Sequence, residues 1–352
     1  VKKAIINFLK FLVFLGIGLG ILYLVYKSQN TAYMAECADK GIPSEDCSLI
    51  KKVAKDFREA NYFWVLMVLL AFTISNVSRA IRWNMLIRPM GYQPRFINAF
   101  LSTFLGYFAN LGLPRMGEVV KGASLSRYEK IPLEKVMGTI VTDRIVDVIS
   151  ILIVTGLAIL LEYNTMLAFA EQYVSLDQFG SLGRLAIIAL AGLLMAGGLL
   201  WYFRKKLQEL KFVQKIVDIA LGFWQGIQTI RQLDRPWLFL LHSINIWFMY
   251  FMMTYVCFFA FEPTAGLSAV AGLVVFVFGG WGVVIPSPGG MGTYHFLAQT
   301  ALSMYGISGE DGFSWANISF FSIQIGCNVL GGLLALMLLP SLNRNYQPVQ
   351  QQ

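Results

Sequence analysis

The sequence is short of what soluble proteins depend on. Charged residues make up only 14% of the 352 positions, and there are just two histidines and four cysteines. Soluble domains carry about 25% charged residues, so a water-facing surface of ordinary size is excluded. The histidine count, with no HExxH, P-loop, GxSxG, DxD or DxxDGxxAR pattern, leaves no site of a known catalytic or metal-binding type. Neither CxxC nor Cys/His metal spacing occurs. No cofactor and no metal are expected, and catalysis is the minority reading. The net charge of +8 is spread between hydrophobic blocks and builds no basic stripe. Nucleic acid is therefore not an expected partner.

What is present is apolar sequence, 57% of the chain, in blocks of about 20 residues. The expected fold class is an all-α polytopic membrane protein with about six full spans plus two re-entrant helix hairpins in an inverted repeat. The first span is expected at 5–26. The loop from Lys27 to Asn61 has six basic and six acidic residues, a balance that suits the outer face. Within it, Cys37 and Cys47 are either a disulfide or two thiols. Cys257 and Cys327 read as buried small side chains.

The expected divisions are 1–61, a first helix with its external loop; 62–161, a first repeat with a hairpin at 97–128; and 162–235, a connecting span and a cytoplasmic amphipathic helix. They continue with 236–340, a second repeat with a hairpin at 266–307, and 341–352, a tail. Full spans are read at 62–88, 136–161, 184–203, 236–261 and 315–339, and both termini inside. The apolar run 97–113 is too short for a comfortable crossing and ends at Pro114, which suggests a chain that enters and returns. The run 266–285 likewise ends in Pro286-Ser287-Pro288-Gly289-Gly290-Met291-Gly292. Met-Gly and a nearby Pro recur in both breaks, and both are flanked by spans of opposite expected direction. Inverted repeats with broken helices are common among transporters.

Candidate functional residues gather at the first break. Charges at bilayer depth cost about 2.5–3.5 kcal/mol each on an insertion scale and usually line a cavity. Pro114 and Gly117 open the backbone, and Arg115, Glu118 and Lys121 follow, with Asn110 just ahead. A helix N-terminus beside Arg115 suits an anion. Glu118 either pairs with Arg115 in a structural role or meets a headgroup ammonium. Arg79 and Arg82, i and i+3 on one helix, either snorkel to the cytoplasmic interface or face a headgroup. Asp143 and Asp147, i and i+4 with Arg144 beside them, form either a proton relay or a salt-bridged anchor. At the second break, Pro286, Pro288, Gly289, Gly290 and Gly292 let backbones approach closely. Tyr294 and His295 follow, and His295 either titrates or is a hydrogen-bonded packing element.

The stretches Asn110-Leu111-Gly112-Leu113-Pro114-Arg115-Met116-Gly117-Glu118-Val119, Asp143-Arg144-Ile145-Val146-Asp147, Pro286–Gly292 and Arg79-Ala80-Ile81-Arg82-Trp83 together resemble the membrane domain of the lysylphosphatidylglycerol synthases, the multiple peptide resistance factor family. The resemblance covers nearly the whole chain. It implies a multi-pass lipid flippase of a bacterial cytoplasmic membrane, here standing alone without the aminoacyl-transferase domain. The implied partners are a membrane lipid (anionic, aminoacylated or polyprenyl-linked), a second copy in a homodimer, and a separate lipid-modifying enzyme. The family's second motif commonly continues with an acidic residue, where this chain has Thr293-Tyr294-His295. The rival expectation is an accessory or scaffold subunit of a membrane glycosyl- or acyltransferase that moves no lipid itself.

Overall fold

The computed structural model describes residues 2–39, 47–112, 116–173, 233–285 and 287–348. Leu113, Pro114, Arg115 and Pro286 lie outside them, as do the expected span 184–203 and the amphipathic helix after it. Two compact units divide the chain: Val1–Leu161 with Leu233–Gln352, and Glu162–Gln232. The second contributes α7, Tyr163–Tyr173, to the described residues.

The first unit is all-helical among the described residues. Its helices are α1 (Lys2–Asp39), α2 (Leu49–Glu59), α3 (Tyr62–Ile87), α4 (Phe96–Gly112), α5 (Gly117–Glu129), α6 (Leu133–Leu161), α8 (Pro236–Phe258), α9 (Ala269–Val284), α10 (Thr293–Ser303), α11 (Gly309–Phe321) and α12 (Leu330–Leu342). A π-helical segment, Ser322–Val329, joins α11 to α12. Four described stretches are long and apolar enough to cross a membrane: Tyr62–Met90, Leu133–Leu161, Pro236–Phe258 and Gly309–Leu342. This is a multi-pass helical membrane protein.

Two boundaries differ from expectation. The helix covering the first span runs on to Asp39, because no Gly or Pro interrupts the chain after Lys27 and polar residues are good helix formers once outside lipid. The expected outer loop is therefore largely helical, and a Cys37–Cys47 disulfide ties the end of α1 to the residues just before α2. The last span starts earlier, at Gly309. Ser308 caps it by accepting from Asp311 N at 3.2 Å, and Glu310 and Asp311, expected in a loop, occupy the first turn where the helix dipole favours them.

The two breaks form two helical hairpins. At about 1.5 Å per residue, α4 and α5 measure about 25 and 20 Å, each short of the roughly 30 Å hydrocarbon core. They meet through Gly106 and Gly117, where a Cβ on Gly106 would lie 2.9 Å from Gly117 O, and through Ser102–Ser124 at 3.0 Å. Asn110 Oδ1 accepts from Gly117 N at 2.7 Å and so holds the start of α5 to the end of α4. In the second hairpin, α9 and α10 meet at Gly279 and Gly282 against Tyr294. Thr293 Oγ1 donates to Gly282 O at 2.6 Å. Gly289 at the second tip packs on Leu111 near the first break.

Contacts between the halves are exchanged in a consistent way. The first arm of each hairpin packs on the last span of the other half: α4 on α12, and α9 on α6. The two leading spans α3 and α8 pack on each other. They run antiparallel, since Asn61 N at the start of α3 donates to Ala260 O just past α8 at 2.9 Å.

Candidate functional site

Five helices bring their polar side chains to one place. From α3, Arg79 and Arg82 project toward Asp143 and Asp147 of α6. The i, i+3 spacing of the arginines and the i, i+4 spacing of the aspartates put each pair on one face, so the two faces interdigitate. Arg79 Nη1 reaches Asp143 Oδ2 at 3.2 Å and Asp147 Oδ2 at 2.8 Å. Arg82 Nη2 reaches Asp143 Oδ1 at 2.6 Å and Asp147 Oδ1 at 2.7 Å. Each guanidinium thus bridges both carboxylates. Arg79 is 2% exposed, and Arg82 and Asp143 are fully buried. Snorkelling, the interfacial alternative for the arginines, does not occur.

Further polar groups finish the inner wall. Arg79 Nη2 donates to the Tyr250 hydroxyl of α8 at 3.1 Å, which in turn meets the Tyr107 hydroxyl of α4 at 3.1 Å. Arg82 Nη1 donates to Ser243 Oγ at 3.3 Å. A buried ion loses several kcal/mol of solvation, so such groups persist only when well paired. Here the inner four are paired and mutually neutral.

The outer side differs. Lys121 of α5 is 4% exposed. Its Nζ stands 4.0 Å from Asp143 Oδ2 and 4.0 Å from the centre of the Trp83 ring. Trp83 is itself held by a bond from Nε1 to Thr139 Oγ1 at 3.0 Å. Lys121 Nζ nevertheless has no hydrogen-bond partner among the described residues. Arg144 lies at 3.6 Å from Asp147 Oδ2, 3.9 Å from Asp143 Oδ2 and 3.8 Å from Glu118 Oε1. Its side chain is 41% exposed and that of Glu118 28%. The cluster is closed at Arg82 and open at Arg144 and Glu118.

The structure therefore joins Arg79, Arg82, Glu118, Lys121, Asp143, Arg144 and Asp147 in one cluster. Arg115, expected to lead the site and to pair with Glu118, falls outside the described residues; Glu118 faces Arg144. Asn110 serves as the cap of α5. Tyr294 and His295 engage elsewhere: the Tyr294 hydroxyl meets Ser319 Oγ at 2.7 Å. His295 Nδ1 accepts from Gly292 N at 3.3 Å, and its ring packs 4.6 Å from that of Phe320. The sequence reading named Trp83 only within the Arg79–Trp83 stretch and missed Tyr107, Tyr250 and Ser243. Nothing in the spacing of these three marks them within their apolar runs.

The second tip holds a polar strand of its own, without charge. Gln324 Nε2 donates to Gly289 O at 2.7 Å, and Asn328 Nδ2 donates to Gln324 Oε1 at 2.7 Å. Both amides come from the π-helical segment, whose wider turn re-aims side chains that a regular helix would stack.

Comparison with known proteins agrees with this organisation. Residues 48–331 match the family described as the lysylphosphatidylglycerol synthase TM region. A UPF0104 membrane protein of Methanocaldococcus jannaschii is 30% identical over 101 residues, 28% of this chain and 30% of that protein. A UPF0104 membrane protein of Pyrococcus horikoshii is 29% identical over 115 residues, 32% of this chain and 34% of its length. The chain thus spans about a third of the curated relatives it matches. No solved structure matches it. The matched family is described as a transmembrane region. Matched over most of its length, the chain belongs to the lysylphosphatidylglycerol synthase TM region family.

Proposed function

We propose that this protein is a lipid transporter, which moves a phospholipid or lipid-linked headgroup across the membrane through a site between two re-entrant hairpins. The observation that carries the reading is the ion cluster itself. Seven charged side chains from α3, α5 and α6 meet among apolar helices, and its outer members are left open or unpaired. A purely structural tip is built more cheaply from Ser and Asn, as the second hairpin illustrates. The family's printed description, a region of a lipid-modifying synthase, fits a lipid substrate.

Three features support the inverted-repeat architecture. The leading spans are antiparallel, each hairpin's first arm packs on the other half's last span, and the two tips approach at Leu111 and Gly289. In such a frame the two halves rock about the shared site while the hairpins alternate as barriers. The headgroup enters at Glu118 and Arg144, where the cluster is open.

The test uses purified protein in liposomes with fluorescent lipids, read by quencher access to the two leaflets. Transbilayer movement is expected to exceed that of protein-free vesicles. Arg115→Ala is expected to abolish it, with the protein still monodisperse by size exclusion. Vesicles that stay silent across several headgroups would overturn the reading. Silent vesicles with a co-purifying glycosyl- or acyltransferase would favour the accessory-subunit alternative.

A further inference from the structure

The arithmetic of the cluster separates it into two parts. Arg79, Arg82, Asp143 and Asp147 form the closed inner set, two cations against two carboxylates with every guanidinium bridging both. Lys121, Arg144 and Glu118 form the outer set, two cations against one carboxylate. One positive charge is left over, and it sits on the open side.

Both sets hold buried unmet donors, Arg79 Nε and Arg82 Nε in the inner one and two more in the outer, but each inner guanidinium is bonded through its other nitrogens. Lys121 Nζ is buried and has no hydrogen-bond acceptor among the described residues, although an ammonium carries three donors. Arg144 Nε is likewise unmet. Leaving a buried charged donor unsatisfied is among the more expensive arrangements in a protein. The Trp83 face supports the ammonium from one side only and supplies no acceptor. Lys121 cannot easily leave. A Cβ placed on Gly106 would stand 3.0 Å from Lys121 Cβ, so α4 presses directly on this turn of α5. The Ser102–Ser124 bond fixes the next turn.

We infer that Lys121 and Arg144 form the seat of a single anionic phosphate group, and that the site selects headgroups of net negative charge and rejects aminoacylated, net positive ones. This rests on the transport reading for its lipid source, but not for the seat. A phosphate oxygen supplies the acceptor Lys121 lacks and cancels the leftover charge, and Arg144 adds a planar donor from the open side. A lysyl headgroup would instead bring an ammonium beside Arg144 and Lys121, where only the Glu118 carboxylate opposes it. The shared chemistry is a phosphate or phosphodiester monoanion, from a lipid or from free phosphate.

Binding and movement are measured separately. In detergent, wild-type protein is titrated with dihexanoyl phosphatidylglycerol, dihexanoyl phosphatidylcholine, dihexanoyl lysylphosphatidylglycerol and inorganic phosphate. The readout is intrinsic fluorescence, to which Trp83 contributes. The phosphatidylglycerol is expected to bind at least about tenfold more tightly than either of the other lipids. Lys121→Met, which removes a buried charge with no hydrogen-bond acceptor among the described residues and should fold, is expected to lose that preference, and Lys121→Arg to recover part of it. Phosphate binding as tightly as the glycerolipid keeps the seat and makes free phosphate its source; weaker phosphate binding makes the source a lipid.

Equal binding of the three lipids, or a preference for the lysyl lipid, would overturn the inference. So would a Lys121→Met protein that still discriminates. The same lipids in the liposome assay address transport alone. Movement of all headgroups with equal rates would leave the transporter standing and sink the anion seat. No movement with intact anion binding would do the reverse.

Discussion

The two hairpins have one architecture and opposite chemistry. Each is a pair of helices too short to cross, joined at a Pro/Gly break and fastened by close glycine contacts. The first carries Glu118 and Lys121 into a cluster with five partners on α3 and α6. The second is fastened by hydroxyls, amides and backbone: Thr293 to Gly282, Gln324 to Gly289, His295 to Gly292. Both therefore satisfy a broken backbone within apolar surroundings, and only the first adds charge. Closing the tip of such a helix pair does not require ions, so the ions of the first tip call for another reason. That contrast is open to direct attack.

The largest effect is expected at the inner ion set. Asp147→Asn keeps the shape of the side chain but leaves Arg79 and Arg82 with one carboxylate between them. Removing one partner from a buried pair destabilises by about 3–5 kcal/mol. The mutant is expected to show a clearly lowered unfolding midpoint in detergent by tryptophan fluorescence. At the second tip, Thr293→Val removes the donor to Gly282 and Gly290 carbonyls and replaces it with a methyl. A neutral bond of this kind is worth about 1–1.5 kcal/mol, so a smaller drop is expected. If the Thr293 substitution proves the more damaging of the two, the division into a charged and a merely fastened hairpin fails.

How far the sequence alone revealed this contrast depends on the kind of information. The pairs of short helices were legible because they are written locally: apolar runs short of bilayer length, ended by Pro and Gly. Two short helices, Phe96–Gly112 and Gly117–Glu129, occupy the stretch where a re-entrant hairpin was expected at 97–128. The charged residues were also legible as outliers in an apolar chain. Their partners were not. Arg79 and Asp143 are 64 positions apart, and the sequence offered each a bland local explanation, snorkelling for one and an end-of-helix anchor for the other. The complementary i, i+3 and i, i+4 spacings were a usable signal that the two faces match. Tyr250, which orients Arg79, left no such signal. Helix extension past the membrane was missed for a different reason, since polar composition was read as loop when only Gly or Pro would have stopped α1 before Asp39.

The smallest effect concerns the charges that join α2 to the first turn of α11. Lys52 of α2 binds Asp56 at 2.9 Å and Asp311 of α11 at 2.6 Å, and the Asp56 carboxylate also accepts from Ser314 Oγ at 2.5 Å. This clasp ties α2 to the span that follows the second hairpin. Burial draws the Lys52 pKa down, but the hydrogen bonds and charges of Asp311 and Asp56 outweigh it, and the net value is raised. A raised lysine pKa stabilises the folded state fully below the unfolded value near 10.4. The contribution is lost as pH climbs through the higher folded value. Partly exposed pairs are worth about 0.2–1 kcal/mol. Lys52→Met should therefore lower the unfolding midpoint slightly at pH 8, and the gap from wild type should close at a pH above the raised value. Lipid movement should be unchanged, because this charge fastens a helix and meets no headgroup. A Lys52→Met protein that is stable but transports poorly would extend the functional charges to the clasp of α2 and α11, and the contrast between the hairpins would no longer divide functional from fastening charge.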